Sequence, residues 1–485
     1  FFFFNGTDVS AYKHYLTGIE SFIMARRNSP TEILIDLPPL IMSGFPIVPK
    51  LPPEFANRDG CTFSWSRVKL KVESSDISRL PVGTKNEETE YLDGNEVSES
   101  FVYTPTVDDI GCHLKFCAVP GQGEGRREGC LEIISKVKVT AGPGPCPFEK
   151  RHKYTSNLTE NGVFRIMSYN ILAEMYLNRD YMTEFHYCPR CAVELEYRIP
   201  LLLKEIIGYN NDILCLQEVG RELFRDDLLP SLVAFNLEGH YREKGGGTPE
   251  GTAIFFRKSK FRYLGQHDIQ IIDKLETDPG CADILQKTYS NESFREAFKT
   301  NFQTVQVLVL EPIDSPRHKL VVANTHLYYY PSASHIRLIQ AVVALRHLQD
   351  VLQTYQQQDE ESKVSLVFCG DFNVLPDSMV YEFMTRKQSR GDHADMQTIP
   401  TDQYVPDMYF SHNQNLASAC GILPYTCYTE LCHDMLDYIF YNVDSLEVER
   451  IIPQHDHEDV QKHTAFPSVV NPSDHIAQIC ELKWM

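Results

Sequence analysis

Asp474 and His475 stand side by side in NPSDHIAQIC (471–480), between a Pro-Ser turn and an apolar run. Alone, the pair reads as a capped turn with a satisfied histidine. Other apolar runs carry similar groups at their ends. IMSYN closes in Asn170, ILCLQE in Glu218 and VVANTH in His326; LVFCGDFN closes in Asp371 and Asn373, and MLDYIF has Asp437 at its entry. Each of these singly is a turn residue or a hydrogen-bonded structural residue. Together they put only Asn, Asp, Glu and His at six strand termini, where loops gather and sites are built. No Ser or Cys nucleophile and no P-loop is among them. Oxygen-rich sets of this kind suit Mg²⁺ or Mn²⁺, and the chemistry they fit is hydrolysis assisted by a hard divalent cation. If residues 474–475 already belong to the last strand, neighbouring side chains point to opposite faces. One then turns toward the metal and the other toward a phosphate.

The elements that must position these groups are strand-like runs alternating with helix-period segments. FRIMSYNIL, DILCLQEV, GTAIFFRK, TVQVLVLEP, KLVVANTHLY, VSLVFCGDFN, LDYIFYN and HIAQICEL read as buried strands, and 197–210 and 335–355 as helices. This is an α/β sandwich with helices outside. It occupies 160–485. Ahead of it, 142–159 begins GPGPCP and reads as a linker. Short period-two runs over 54–141, with Trp65 in FSWSR, read as a small immunoglobulin-like β-sandwich. Residues 1–53 carry no assignable pattern.

A net charge of −20 argues against a broad basic footprint on duplex DNA. It leaves room for a short anionic ligand held by a metal and a few local cations. No apolar run reaches the roughly 18 residues of a membrane span. The chain opens on FFFF without Met and reads as starting inside a longer precursor, so any targeting peptide lies outside it. Cys215, Cys369 and Cys480 sit in apolar runs and read as core residues. Cys188 and Cys191 form a lone CxxC, and the irregular spacing of Cys420, Cys427, Cys432 and His433 argues against a zinc site. Cysteine usage as a whole favours a reducing compartment.

The words SYN, LQEV, EGTAIFF, NTHL, GDFN, LDYIF and PSDH, in this order over about 160–485, resemble the motif series of the exonuclease–endonuclease–phosphatase superfamily. EGTAIFFRKSKF, HLYYYPSASHIRLIQ and PSDHIAQICELKW are most similar to its deadenylase-like branch. The resemblance implies a four-layer, DNase I-like α/β sandwich and Mg²⁺-dependent hydrolysis of oligoadenylate, covering 2′,5′-linked oligoadenylate and 3′ poly(A) RNA. It implies Glu218 as principal metal ligand, with Asp474 completing the metal site. Asn170 lies beside Glu218, Asp371 activates the attacking water, and Asn373 steadies it. His475 donates to a phosphate oxygen with Asp437 fixing its tautomer, and His326 touches the scissile phosphate. The mitochondrial matrix is the implied location, with the cytoplasm as the alternative. One position departs from the branch. Cys432 stands where an adenine-stacking aromatic is expected, so Tyr425 and Tyr428 become the candidate stacking residues and Arg337 a candidate phosphate contact. The shared core motifs also fit a hydrolase of another phosphoester, such as an inositol phosphate, or a non-catalytic RNA-binding member.

Overall fold

The computed structural model describes residues 36–51, 60–70, 91–121 and 130–485. The chain divides into two compact units. One comprises 1–37, 49–101 and 114–136; the other comprises 38–48, 102–113 and 137–485. The described strands of the smaller region are β1 (Thr62–Leu70), β2 (Tyr91–Ser98), β3 (His113–Val119) and β4 (Leu131–Ile134), in one sheet ordered β2-β1-β3-β4. Trp65 is fully buried against Phe116. Cys117 and Cys130 form a disulfide, a pairing not read from the sequence.

The larger unit holds two further sheets. A six-stranded sheet is built from β5 (Val163–Asn170), β6 (Ile213–Gly220), β7 (Leu237–Glu243), β8 (Glu250–Arg257), β16 (Leu446–Ile451) and β17 (Gln478–Trp484), ordered β16-β17-β5-β6-β8-β7. A seven-stranded sheet is built from β9 (Phe261–Gln266), β10 (Ile269–Gln270), β11 (Thr304–Pro312), β12 (His318–His326), β13 (Lys363–Asp371), β14 (Leu416–Ser418) and β15 (Asp437–Asn442). Its path is β10-β11-β12-β13-β15-β14, with β9 pairing β11.

The strands are apolar on both faces, and alternation sorts them. Phe164, Ile166, Ile213 and Cys215 of the first sheet meet Leu320, Val322, Val367 and Cys369 of the second in one core between the sheets. Their neighbours point outward. Met167, Tyr169, Leu214 and Leu216 pack with Leu201, Leu202 and Ile206 of helix Leu195–Gly208. Val321, Ala323, Leu366 and Phe368 pack with Leu338, Val342 and Leu345 of helix Ser334–Gln358. Helix, sheet, sheet, helix is the four-layer sandwich that the family resemblance implies, and the strand and helix pattern of the sequence agrees with it. Within 142–159, Pro147–His152 is helical and Phe148 is fully buried in the core behind the first sheet. The Gly-Pro run marks the turn before that helix, and the Phe148 side chain anchors the helix itself.

Candidate active site

Register assembles half of the site. β12 and β13 are parallel with His326 opposite Asp371, and β13 and β15 are antiparallel with Asp371 opposite Asp437. His326, Asp371 and Asp437 therefore lie in one row across three adjacent strands. On the other sheet β5 runs parallel to β6 with Asn170 opposite Gln217, next to Glu218. A register shift between Leu216 and Val219 puts Glu218 in a bulge, where it takes a left-handed φ of 58°. Asn373 (φ 53°) and Leu172 (φ 60°) share that region. Non-glycine residues adopt it at a cost, and such outliers gather at functional sites where a bulge re-aims a side chain. Beneath them the sheets are joined: Gln217 Nε2 donates to Asn324 Oδ1 at 2.8 Å, and Asn324 Nδ2 donates to Leu216 O at 2.9 Å.

The groups converge on Asp371. Asn170 Nδ2 donates to Glu218 Oε1 at 3.0 Å and to Asp371 Oδ2 at 3.1 Å. The rings of His326 and His475 each bring Nε2 to 3.7 Å from Asp371 Oδ2. Asn373 donates its backbone N–H to Asp371 Oδ1 at 2.9 Å and its side-chain amide to Leu327 O at 3.1 Å. His475 Nδ1 lies 2.8 Å from Asp437 Oδ2. Glu218 Oε2 accepts from Ala173 N at 2.8 Å. Ser473 Oγ donates to Asn170 O at 2.7 Å, tying the PSDH turn to the end of β5.

Asp474 and His475 both line the cleft. The alternation expected of them does not apply, because the last strand begins only at Gln478. Residues 472–475 lie ahead of the strand, in a bent segment from which both side chains reach the cleft. The eight residues expected to act together, Asn170, Glu218, His326, Asp371, Asn373, Asp437, Asp474 and His475, are brought into one constellation.

The three expected substrate contacts are engaged within the protein, although Arg337 lines the cleft. The Arg337 NH groups donate to the carbonyls of Tyr328, Tyr330 and Pro331 at 3.0, 2.5 and 2.8 Å. This arginine shapes the 328–331 loop. Tyr425 and Tyr428 are only 9% and 4% exposed, packed among Val460, Ala465, Phe466 and Ile476. Tyr428 already stacks on His433, with ring centroids 4.1 Å apart, and Tyr425 Oη is hydrogen-bonded to His457 Nδ1 at 2.8 Å. The exposed aromatics of the cleft are instead Tyr329 (60%) and Tyr330 (52%), in the YYYP run. Arg257 and Lys260, at the far end of β8, pair with Asp212.

Sequence reading also passed over Tyr176 and Lys244. Tyr176 Oη donates to Glu250 Oε1 at 3.0 Å and Lys244 Nζ to the same atom at 2.9 Å. Arg198 is a further omission. Buried, it donates to Ile171 O, and at 2.7 and 2.6 Å to Leu172 O and Pro472 O, clamping the two turns that carry the site. Only the Glu of EGTAIFF and the Arg within an apolar helix stretch marked any of these in the sequence.

The charges follow from burial. Burial, then the neighbouring Asp474 and Glu250, pushes Glu218 up to about 7. Burial, then Asp437, pushes Asp371 up to about 7. Asp474 is raised by burial as well. His326 is held well below its ordinary value by burial, then Lys244 and His475, so its ring is neutral. Burial pulls His475 down, but Asp437, Asp474 and Asp371 outweigh it and hold the imidazole well above its ordinary value. One neutral and one cationic imidazole thus flank one carboxyl.

The cleft of about 900 Å³ is lined by eight carboxylates and three Lys or Arg. Lys244 is paired with Glu250, and the Arg337 NH groups are taken up by carbonyls. Mutually raised, buried carboxylates without enough cations are a donor set that fits a hard divalent cation. Glu218 and Asp474 are the residues that would hold it. A carboxyl must lose its proton to ligate. We therefore expect Mg²⁺ affinity to rise with pH through about 7, by up to about tenfold per unit for each proton displaced. Calorimetric titration between pH 6 and 8 measures this, and a flat profile refutes it. Without a cation these groups oppose folding. Their folded pKa lies above the ordinary 4.5 and 3.8, so their contribution to stability falls as pH rises from about 4 to 7.

This geometry defines a class of protein, a phosphoester hydrolase built on facing sheets. The chain belongs to the Endonuclease/Exonuclease/phosphatase family, whose model matches residues 167–475; a 2',5'-phosphodiesterase 12-like N-terminal domain model matches 29–140. Over 465 residues it is 41% identical to the 2',5'-phosphodiesterase 12 of Homo sapiens, covering 94% of this chain and 74% of that protein. It is 29% identical over 330 residues to the CCR4-Not complex 3'-5'-exoribonuclease subunit Ccr4 of Candida albicans, covering 64% of this chain and 40% of that one. Among solved structures, ANGEL2, a 2',3'-cyclic phosphatase, in complex with adenosine-2',3'-vanadate, matches with a TM-score of 0.53 and 25% identity. The match covers 68% of this chain and 97% of that one. The chain is accordingly a hydrolase of this family.

Proposed function

We propose that the protein is a Mg²⁺-dependent phosphodiesterase and 3′-exoribonuclease, with Mn²⁺ able to substitute, that hydrolyses 2′,5′-linked oligoadenylate and 3′ poly(A). The observation that carries the chemistry is Asp371 held between neutral His326 and cationic His475, beside the Glu218–Asp474 acid pair. Asp371 takes the proton of an attacking water; its pKa near 7 suits a base at neutral pH. The Asn373 backbone fixes the carboxyl that does this. His475 donates to a phosphate oxygen, and Asp437 keeps its other nitrogen protonated. His326, uncharged, completes the contacts to the phosphate. The bound cation supplies neutralisation of the charge that develops on the phosphate.

The substrate reading draws on the names of the relatives and on the cleft's aromatics. Tyr329 and Tyr330, rather than Tyr425 and Tyr428, are the surfaces on which bases stack. Replacing both by Ala is expected to raise KM for triadenylate about tenfold or more, with a smaller change in kcat, since a stacked base contributes about 1–3 kcal/mol. An unchanged KM removes them from the binding surface.

The test of the function is digestion of 2′,5′- and 3′,5′-linked oligoadenylate side by side, with and without chelator. Chelator-sensitive shortening of both is the expected result. An intact pair overturns the reading, and cleavage of an inositol polyphosphate in the same panel moves it to that substrate. The domain division read from sequence, a β module over 54–141 and a catalytic domain over 160–485, belongs to this proposal and is supported by the separate family matches. So does location in the mitochondrial matrix, which subcellular fractionation tests.

A further inference from the structure

The cleft contains two sulfurs that the hydrolytic chemistry does not use. Cys427 lies on the segment that forms a β-bridge with His475. Its Sγ, an Asp474 carboxylate oxygen and a His475 ring nitrogen all lie within 4.8 Å of one another. Cys432 is placed beside it by a turn in which Thr429 N donates to Cys432 O at 2.8 Å and Thr429 Oγ1 accepts from Cys432 N at 2.9 Å. The two sulfurs are near enough to influence each other, but the Cys432 sulfur lies outside the set of atoms within 4.8 Å of one another. Cys432 is partly exposed, its Sγ 3.7 Å from Asp434 Oδ2, and both cysteines line the cleft. Spacing along the chain gave no sign of this set, because Asp474 and His475 arrive from more than forty residues downstream.

We propose that Cys427, Cys432, Asp474 and His475 form a thiolate-containing zinc site in the cleft wall, at which Zn²⁺ blocks hydrolysis. Two sulfurs, one imidazole and one carboxylate are four ligands of the kinds tetrahedral zinc takes. Closing to bond lengths of about 2.0–2.3 Å requires the Cys432 sulfur, on a partly exposed turn, to move toward the other three groups. His475 Nδ1 is already held by Asp437, which leaves Nε2 to ligate. This carboxylate–histidine arrangement orients metal-bound imidazoles. Each thiol that ligates releases its proton to solvent, and the cationic His475 must release its Nε2 proton as well. Mg²⁺ does not compete for sulfur, whereas Zn²⁺ prefers it. Zinc held here removes both the phosphate donor His475 and Asp474 from the hydrolytic site. Only the blocking effect rests on the proposed function; the site itself does not.

Three measurements on the full chain test this. With Co²⁺ as the spectroscopic stand-in, the folded wild-type protein should show thiolate-to-metal charge-transfer absorption that Cys427→Ser loses. In the unmodified protein, Zn²⁺ should protect Cys432 from alkylation, read by peptide mapping. Zn²⁺ should inhibit Mg²⁺-supported hydrolysis, reversibly by chelator, and Cys427→Ser or Cys432→Ala should raise the inhibitory concentration about 10–100-fold, each measured against its own Zn²⁺-free rate. Absence of charge transfer in folded wild-type protein, or unprotected Cys432 at saturating Zn²⁺, overturns the site. Equal inhibition of wild type and both variants overturns the blocking role. The first two readouts need no substrate, so they stand apart from any failure of the oligoadenylate reading.

Discussion

Glu218→Gln will lose at least about 10³-fold in Mg²⁺-supported turnover, equivalent to about 4 kcal/mol of transition-state stabilisation. The substitution is nearly isosteric. The amide oxygen can still accept from the Ala173 N–H, its NH2 then meets the Asn170 amide, which must turn its own oxygen toward it, and the bulge that gives this residue its left-handed φ is set by the backbone. What changes is the charge that a divalent cation needs. Burial beside Asp474 and Glu250 already makes the Glu218 carboxylate costly, so the variant is expected to fold at least as well as wild type without metal. The diagnostic is therefore a split between two measurements. Thermal unfolding without Mg²⁺ should be unchanged or higher in Tm. The rise in Tm that Mg²⁺ gives wild type, a consequence of binding to the folded state alone, should largely disappear. A variant that keeps both its Mg²⁺-induced Tm shift and its turnover ends the assignment of Glu218 as a metal ligand.

The buried strands and the residues of the candidate site were legible in the sequence for a physical reason. A strand buried on both faces reads as an unbroken apolar run, so a polar residue at its end is conspicuous. His326, Asp371 and Asp437 were visible this way, and the register of three paired strands then placed them in one row. What could not be read depends on contacts between segments distant in sequence. Gln217 and Asn324 look like any polar residues near a strand end, yet they bond to each other across the two sheets. Arg198 sits in an apolar helix stretch, and its role exists only because Ile171, Leu172 and Pro472 present carbonyls to it. Tyr425 and Tyr428 were chosen for nearness to Cys432 along the chain. Aromatic type says nothing about exposure, and the fold buries them while leaving Tyr329 and Tyr330 in the open. The same limit applies to the proposed zinc site: irregular Cys spacing argues against a site made from one segment, not against one completed by Asp474 and His475.

Asp437→Asn is the variant that separates orientation from metal binding, with an expected loss of about 10²–10³-fold in kcat and little change in Mg²⁺ affinity. Asp437 does not line the cleft as Asp474 and Glu218 do. Its Oδ2 is 2.8 Å from His475 Nδ1, its backbone N–H donates to Thr426 Oγ1 at 3.0 Å, and its carbonyl accepts from Gln478 Nε2 at 2.6 Å. The residue is fixed in place and its charge is directed at one imidazole. An amide of the same shape keeps the position and removes the charge, so His475 loses the largest of the influences that hold it protonated against burial. The proton needed for donation to the phosphate then leaves at lower pH. The pH profile should report this directly. In wild type, activity that depends on protonated His475 is retained until pH rises past its elevated pKa. In Asp437→Asn the alkaline limb should move to lower pH, so that part of the lost rate returns on acidification. A purely structural role for Asp437 predicts a uniform loss at all pH values and a lower Tm. Loss of Mg²⁺ binding in the variant would instead make Asp437 part of the metal site, and either result removes it from the orienting role.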